Sequence, residues 1–150
     1  MKLATALSER SDVQRRLSEL RGRLAANARV QEGEEPAENP AELLAELNEG
    51  VAKLEDLVTR INLTNAATVA EGVSLTAMLA RRDALKEKVD IMRNFLDCAS
   101  NLAGRATHSE IKVKSTVKVA ALQKDVDALS KELRQLDEKI QELNWTTELL

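Results

Sequence analysis

The stretch VAALQKDVDALSKELRQLDEKIQEL, Val119 to Leu143, decides the fold. In it Val119, Leu122, Val126, Leu129, Leu133, Leu136, Ile140 and Leu143 recur at alternating steps of three and four. A mean period of about 3.5 residues keeps one apolar seam turned toward a partner helix. No charge interrupts the seam, so the segment is stable only against other helices.

Three earlier segments carry the same period. The first helix reads Leu3, Ala6, Arg10, Val13, Leu17, Leu20, Leu24, and the second reads Leu44, Leu47, Val51, Leu54, Val58, Ile61. The third reads Leu75, Met78, Arg82, Leu85, Val89, Met92, Leu96, Ala99. Asn39 is placed to cap the second helix, with Pro40 at its first position and Glu42 completing a capping box. Ser74 is placed to cap the third. The expectation is an all-α single domain over residues 1–150, with helices at about 2–26, 40–62, 75–101 and 118–144. Matched lengths favour an up-down-up-down antiparallel four-helix bundle. The alternative is a pair of hairpins that opens to pack against another subunit.

Composition agrees. Charged residues are 31% and hydrophobic ones 43%, while the only aromatics are Phe95 and Trp145. A core without aromatics must be built from Leu, Val, Ile, Ala and Met, which suits long helices and not a β-sandwich. A net charge of −3 predicts no general attraction to nucleic acid or acidic lipid. One cysteine, Cys98, excludes an internal disulfide framework and fits a reducing compartment. The start of the chain turns polar at Ser8-Glu9-Arg10, too early for a signal peptide. No apolar run approaches the roughly 20 residues that span a bilayer. A cytoplasmic protein without stable membrane insertion is expected.

The connections are unequal. Asn62 to Val73 carries Thr64-Asn65 and Glu71-Gly72, a turn-rich joint. Asn27 to Asn39 carries Gly33 and Pro36, and Ser100 to Thr116 carries Gly104 as a helix stop. Ile111, Val113 and Val117 alternate with Lys112, Lys114 and Lys118, a strand-like period of two. Ala28-Arg29-Val30-Gln31 could pair with it, since both connections fall at one end of an antiparallel bundle. A small two-stranded β element, about 28–31 with 111–114, is therefore expected as an option at that end.

Two arginines stand in apolar seams. Arg10 lies seven residues after Leu3, and Arg82 seven after Leu75. In the expected topology both fall at nearly one level, near Asn62, Asn65, Glu142, Asn144 and Glu148. Arginine cannot shed its charge, so at a seam it pairs, snorkels to solvent or binds an anion. Three readings stay open: a register-setting ion pair to a glutamate or to Asp83, a small anion held between the arginines, or snorkelling. The ligand reading makes Arg10, Arg82, Asn62 and Asn65 the candidate binding residues.

Other chemistries find little footing. A di-iron bundle needs inward Glu and Glu-x-x-His pairs, yet no seam carries an acidic residue. His108 is the only histidine and has no second imidazole or cysteine beside it for zinc. His108-Ser109-Glu110 invites a catalytic reading, but neighbours on a strand face opposite ways. Cys98, next to the seam residue Ala99, is expected as a small buried filler without a basic partner. Asn62-Leu63-Thr64 and Asn144-Trp145-Thr146 match glycosylation acceptors by chance in a chain without a secretory signal. Arg105 with Lys112, Lys114 and Lys118 makes a basic patch that lacks aromatics for base stacking. No catalytic residue, metal ligand or cofactor is expected, and no nucleic-acid partner.

Several stretches contain polar residues that no heptad logic demands. They are Lys2-Leu3-Ala4 with Leu7, Asn27-Ala28-Arg29-Val30-Gln31-Glu32-Gly33-Glu34 with Pro36, and Ile61-Asn62 with Thr64-Asn65. Further on come Leu79-Ala80-Arg81-Arg82-Asp83, Ser109-Glu110-Ile111-Lys112, and Asn144-Trp145-Thr146 with Glu148-Leu149. On these pieces the whole chain resembles a family of small bacterial helical proteins labelled septicolysin-like, departing from it at His108, where an arginine is expected. The resemblance implies no activity or site residue, and its label implies membrane lysis. A helical pore-former needs a lipid-facing apolar segment or an amphipathic helix with a basic face. Here the polar faces are mixed in sign, which opposes lysis. The sequence thus states an architecture and no activity. The expected role is a structural or protein-interaction module that self-associates, most simply as a symmetric dimer. The alternative is a binder of, or enzyme on, a small anionic ligand.

Overall fold

The computed structural model describes residues 1–102 and 111–150. They form four helices, α1 (Leu3–Ala26), α2 (Pro40–Ala67), α3 (Leu75–Ser100) and α4 (Val119–Thr146). A two-stranded antiparallel sheet, β1 (Val69–Ala70) with β2 (Val73–Ser74), separates α2 from α3. Helix makes up 75% of these residues, more than twice the globular average of about one-third. The all-α architecture of long helices read from the heptads is the architecture observed. The backbone divides into two compact units, Met1–Ser74 with Leu143–Leu150, and Leu75–Glu142.

In the first unit α1 and α2 run antiparallel. Glu9 meets Lys53 at 3.6 Å at one level, and Arg23 meets Glu46 at 3.3 Å toward the other end. The core takes Leu3, Ala6, Val13 and Leu20 from α1, and Leu43, Leu57, Ile61 and Thr64 from α2. The α2 seam therefore passes through Leu43, Leu47, Gly50, Leu54, Leu57, Ile61 and Thr64. This corrects the expected seam: Leu44 and Val51 are about half exposed, and Leu43 and Leu57 are buried in their place. The cause is Gly50. A Cβ at that position would lie 2.9 Å from Leu17 Cδ2, so the glycine lets the two helices approach closely.

Asn39 caps α2 as expected, its side chain accepting from the Ala41 N–H at 2.9 Å, with Pro40 in the first turn. The helix ends later than expected, at Ala67 rather than 62. Thr64 and Asn65, read as part of a turn, are helical, and the Thr64 hydroxyl donates to the Arg60 carbonyl at 2.8 Å. The same oxygen accepts the Leu150 N–H at 3.0 Å, so a buried hydroxyl in the seam is satisfied twice. Beyond it, Glu71 (φ 54°) and Gly72 (φ 79°) both adopt positive φ. Consecutive positive φ values are what a type I′ two-residue hairpin requires, and they close β1 onto β2.

The sheet is thus not where the alternation placed it. Residues 28–31 and 111–114 form no strand. A two-residue turn closes β1 on β2 at little loop entropy, whereas 28–31 and 111–114 are some eighty residues apart in the chain.

In the second unit α3 and α4 also run antiparallel. Arg82 lies 3.8 Å from Asp137, and Arg93 donates to Ser130 Oγ at 3.0 Å. Arg81 pairs with Glu132 alongside. The α3 seam is the one read from the sequence, with Leu75, Met78, Leu85, Val89 and Leu96 buried. On α4 no seam residue is exposed, but only Val126 and Ile140 are fully buried. Cys98 is exposed, which corrects its reading as a core filler: it shares an outward stripe of α3 with Ile91 and Phe95. Gly104, Arg105, His108, Ser109 and Glu110 lie outside the described residues. Among the described residues no helix is long and apolar enough to cross a membrane.

Candidate functional site

The two seam arginines have different surroundings. Arg82 is about one-fifth exposed, and its Nε and one terminal nitrogen each lie 3.0 Å from Asp83 Oδ1, with Asp137 at 3.8 Å. Two carboxylates therefore compensate its charge within the second unit. Arg10 belongs to the first unit. Its Nε is buried and has no hydrogen-bond partner among the described residues. Asn62 is exposed and Asn65 half-buried on the last turns of α2, in the same unit as Arg10. Neither asparagine hydrogen-bonds to Arg10 among the described residues.

A denser polar cluster holds the first connection. Arg23 donates to Glu38 from Nε, at 3.2 Å to each oxygen, and from a terminal nitrogen at 2.7 Å. Its other terminal nitrogen reaches Glu46 at 3.3 Å. The hydrogen bonds from Arg23 hold the Glu38 carboxyl below its usual value of 4.5, and those to Glu38 and then Glu46 hold the guanidinium above its own. Asn27, buried beneath, donates to the Arg23 carbonyl at 2.8 Å and accepts the Glu38 N–H at 2.9 Å. One amide thus closes the ring from residue 27 to residue 38.

The chain ends form a second clasp. The Leu3 N–H donates to the Thr147 carbonyl at 2.9 Å and the Leu149 N–H to the Met1 carbonyl at 2.8 Å. Glu148 takes the terminal ammonium at 3.1 Å and Lys2 Nζ at 2.7 Å. The Lys2 bond, followed by that of the ammonium, lowers the Glu148 carboxyl from its usual value. Sequence reasoning missed both clusters.

The cavities are open grooves. One, about 580 Å³, lies in the second unit against Phe95, Cys98, Leu102, Val113, Lys114 and Thr116. Among the described residues no hydrogen bond joins Cys98 to a base. A groove of about 520 Å³ in the first unit is lined by Gln14, Leu17, Ser18, Arg21, Leu24 and Leu47. Among the described residues no three of His, Cys, Asp and Glu are grouped so as to hold a metal ion.

Residues 10–149 match a family described as a family of unknown function, DUF6847. The chain belongs to DUF6847. It is also similar to a solved crystal structure, that of a functionally unknown conserved protein from Corynebacterium diphtheriae. The identity is 46% over 100% of this chain and 99% of that chain, with a TM-score of 0.92. No curated protein matches the chain. These findings overturn the septicolysin-like resemblance: neither DUF6847 nor its solved neighbour carries that link, so the shared polar pieces do not mark a lytic lineage. Family and neighbour are both of unknown function, and neither supplies an enzymatic or lytic role.

Proposed function

We propose that this DUF6847 chain is a structural, protein-interaction module that acts as a homo-oligomer in the cytoplasm. One observation carries the reading. Among the described residues, 14 large hydrophobic side chains are exposed, against 15 hydrophobic residues buried in the core. The exposed set includes both aromatics, Phe95 and Trp145. Apolar side chains scattered singly are ordinary on a protein surface, but contiguous apolar surface marks interaction sites, and several of these residues share a face, as Ile91 and Phe95 do on α3. The partly covered seam of α4 and the exposed Leu44 and Val51 on α2 support the same reading, since each offers a helix face to another helix. An exposed thiol at Cys98 suits a reducing compartment. The test is light scattering across a wide concentration range. A mass of two or more chains is expected. A mass of 16.5 kDa held at high concentration would exclude self-association.

A further inference from the structure

We infer that the end of the first unit bearing Trp145 is the surface on which two copies of this chain meet. The inference rests on the self-association proposed above and names its contact. Six large apolar side chains gather at this end: Met1, Leu63, Val69, Val73, Trp145 and Leu150, each between 44 and 66% exposed.

Their common location follows from backbone bonds. The Leu149 N–H donates to the Met1 carbonyl at 2.8 Å, setting the two chain ends side by side. The Leu150 N–H donates to Thr64 Oγ at 3.0 Å, which brings Leu150 to the residue after Leu63. The Thr68 N–H donates to the Thr64 carbonyl at 2.9 Å, and the β1–β2 hairpin with Val69 and Val73 leaves from that point. Trp145 stands two residues before Thr147, whose carbonyl accepts the Leu3 N–H. Helix ends, hairpin and tail are thus tied to one another by these bonds.

Area and charge select a second copy as the occupant. Large side chains expose about 150–250 Å² when free, so six at these exposures present on the order of 600 Å². A stable interface takes about 800 Å² per partner, so these six side chains alone would supply most of one. The rim carries both signs: Lys2 and Glu148 pair within one copy, and Arg60 and Glu71 add one charge of each sign. A two-fold contact sets each surface against its own copy, so a rim of one sign would repel itself. A mixed rim allows the Glu71 hairpin tip of one copy to meet a cation of the other. Aromatic residues at the centre of such contacts carry much of the affinity, and Trp145 is the only tryptophan of the chain.

That uniqueness supplies the experiment. Light scattering and tryptophan emission are followed together through a dilution series of the full chain. The expected result is a dimer whose emission is blue-shifted and moves to the red in step with dissociation. Two variants, Trp145→Ser and Leu63→Lys, are then weighed at the highest concentration, with helicity checked by circular dichroism. Each is expected to raise the concentration needed for dimerisation at least tenfold with helicity unchanged. A dimer whose emission stays at the solvent-exposed position, or one unaffected by the folded Leu63→Lys variant, overturns this contact and leaves self-association standing. A monomer at every concentration overturns both.

Discussion

Gly50 sets the distance between α1 and α2, and its effect can be separated into two opposing quantities. Glycine inside a helix costs about 1 kcal/mol relative to alanine. Against that, a Cβ at residue 50 would stand 2.9 Å from Leu17 Cδ2, closer than real contacts allow. The clashing atom is the end of a flexible side chain beside an open groove, so it can turn away. Gly50→Ala is therefore expected to change stability by less than about 1 kcal/mol in urea unfolding. Gly50→Leu has no such escape and should lose about 1–3 kcal/mol as the helices are forced apart. A tolerated leucine would show that the two helices do not approach closely here.

At the scale of elements, legibility depended on whether the sequence offered one apolar stripe or two. The α3 seam was readable because Leu75, Met78, Leu85, Val89 and Leu96 leave one assignment of the buried face. α2 offered two overlapping stripes, and the more hydrophobic one, with Leu44, Val51 and Val58, was the wrong one. The buried stripe contains Gly50 and Thr64, which add little hydrophobicity, and steric fit and hydrogen bonding decided in their favour. The hairpin was missed for a related reason: two-residue strands are too short for alternation to register, though Glu71-Gly72 did mark the turn. The register has a direct test in thermal melts. Leu57→Ala should cost about 2–5 kcal/mol, because Leu57 is buried. Leu44→Ala, at a half-exposed position, should cost under about 1 kcal/mol. The reverse order would restore the stripe first read from the sequence.

For the molecule as a whole, the candidate site was the least legible part, because its polar ties join residues that no local pattern relates. Lys2 and Glu148 meet across almost the entire chain, and Asn27, Arg23 and Glu38 meet across a connection without periodicity. The seam arginines were visible as breaks in a pattern, but a break states only that a charge needs compensation, and Arg82 finds its own at Asp83 and Asp137. The two clasps make stability depend on pH in a definite direction. Glu38 and Glu148 both have carboxyls lowered from the usual value of 4.5. A lowered carboxyl binds its proton less readily when folded than when unfolded, so its stabilising effect is present above about 4.5 and fades as pH falls through the folded value. Both pairs are solvent-exposed, so the effect is modest and screened by salt. A chain carrying Glu38→Gln and Glu148→Gln should melt below the parent chain at neutral pH. The gap should narrow steadily below pH of about 4.5, and also at neutral pH in about 1 M salt. A gap that persists undiminished near pH 3 would mean that these side chains act through shape and neutral hydrogen bonds, and that their charges do not hold the connection and the chain ends.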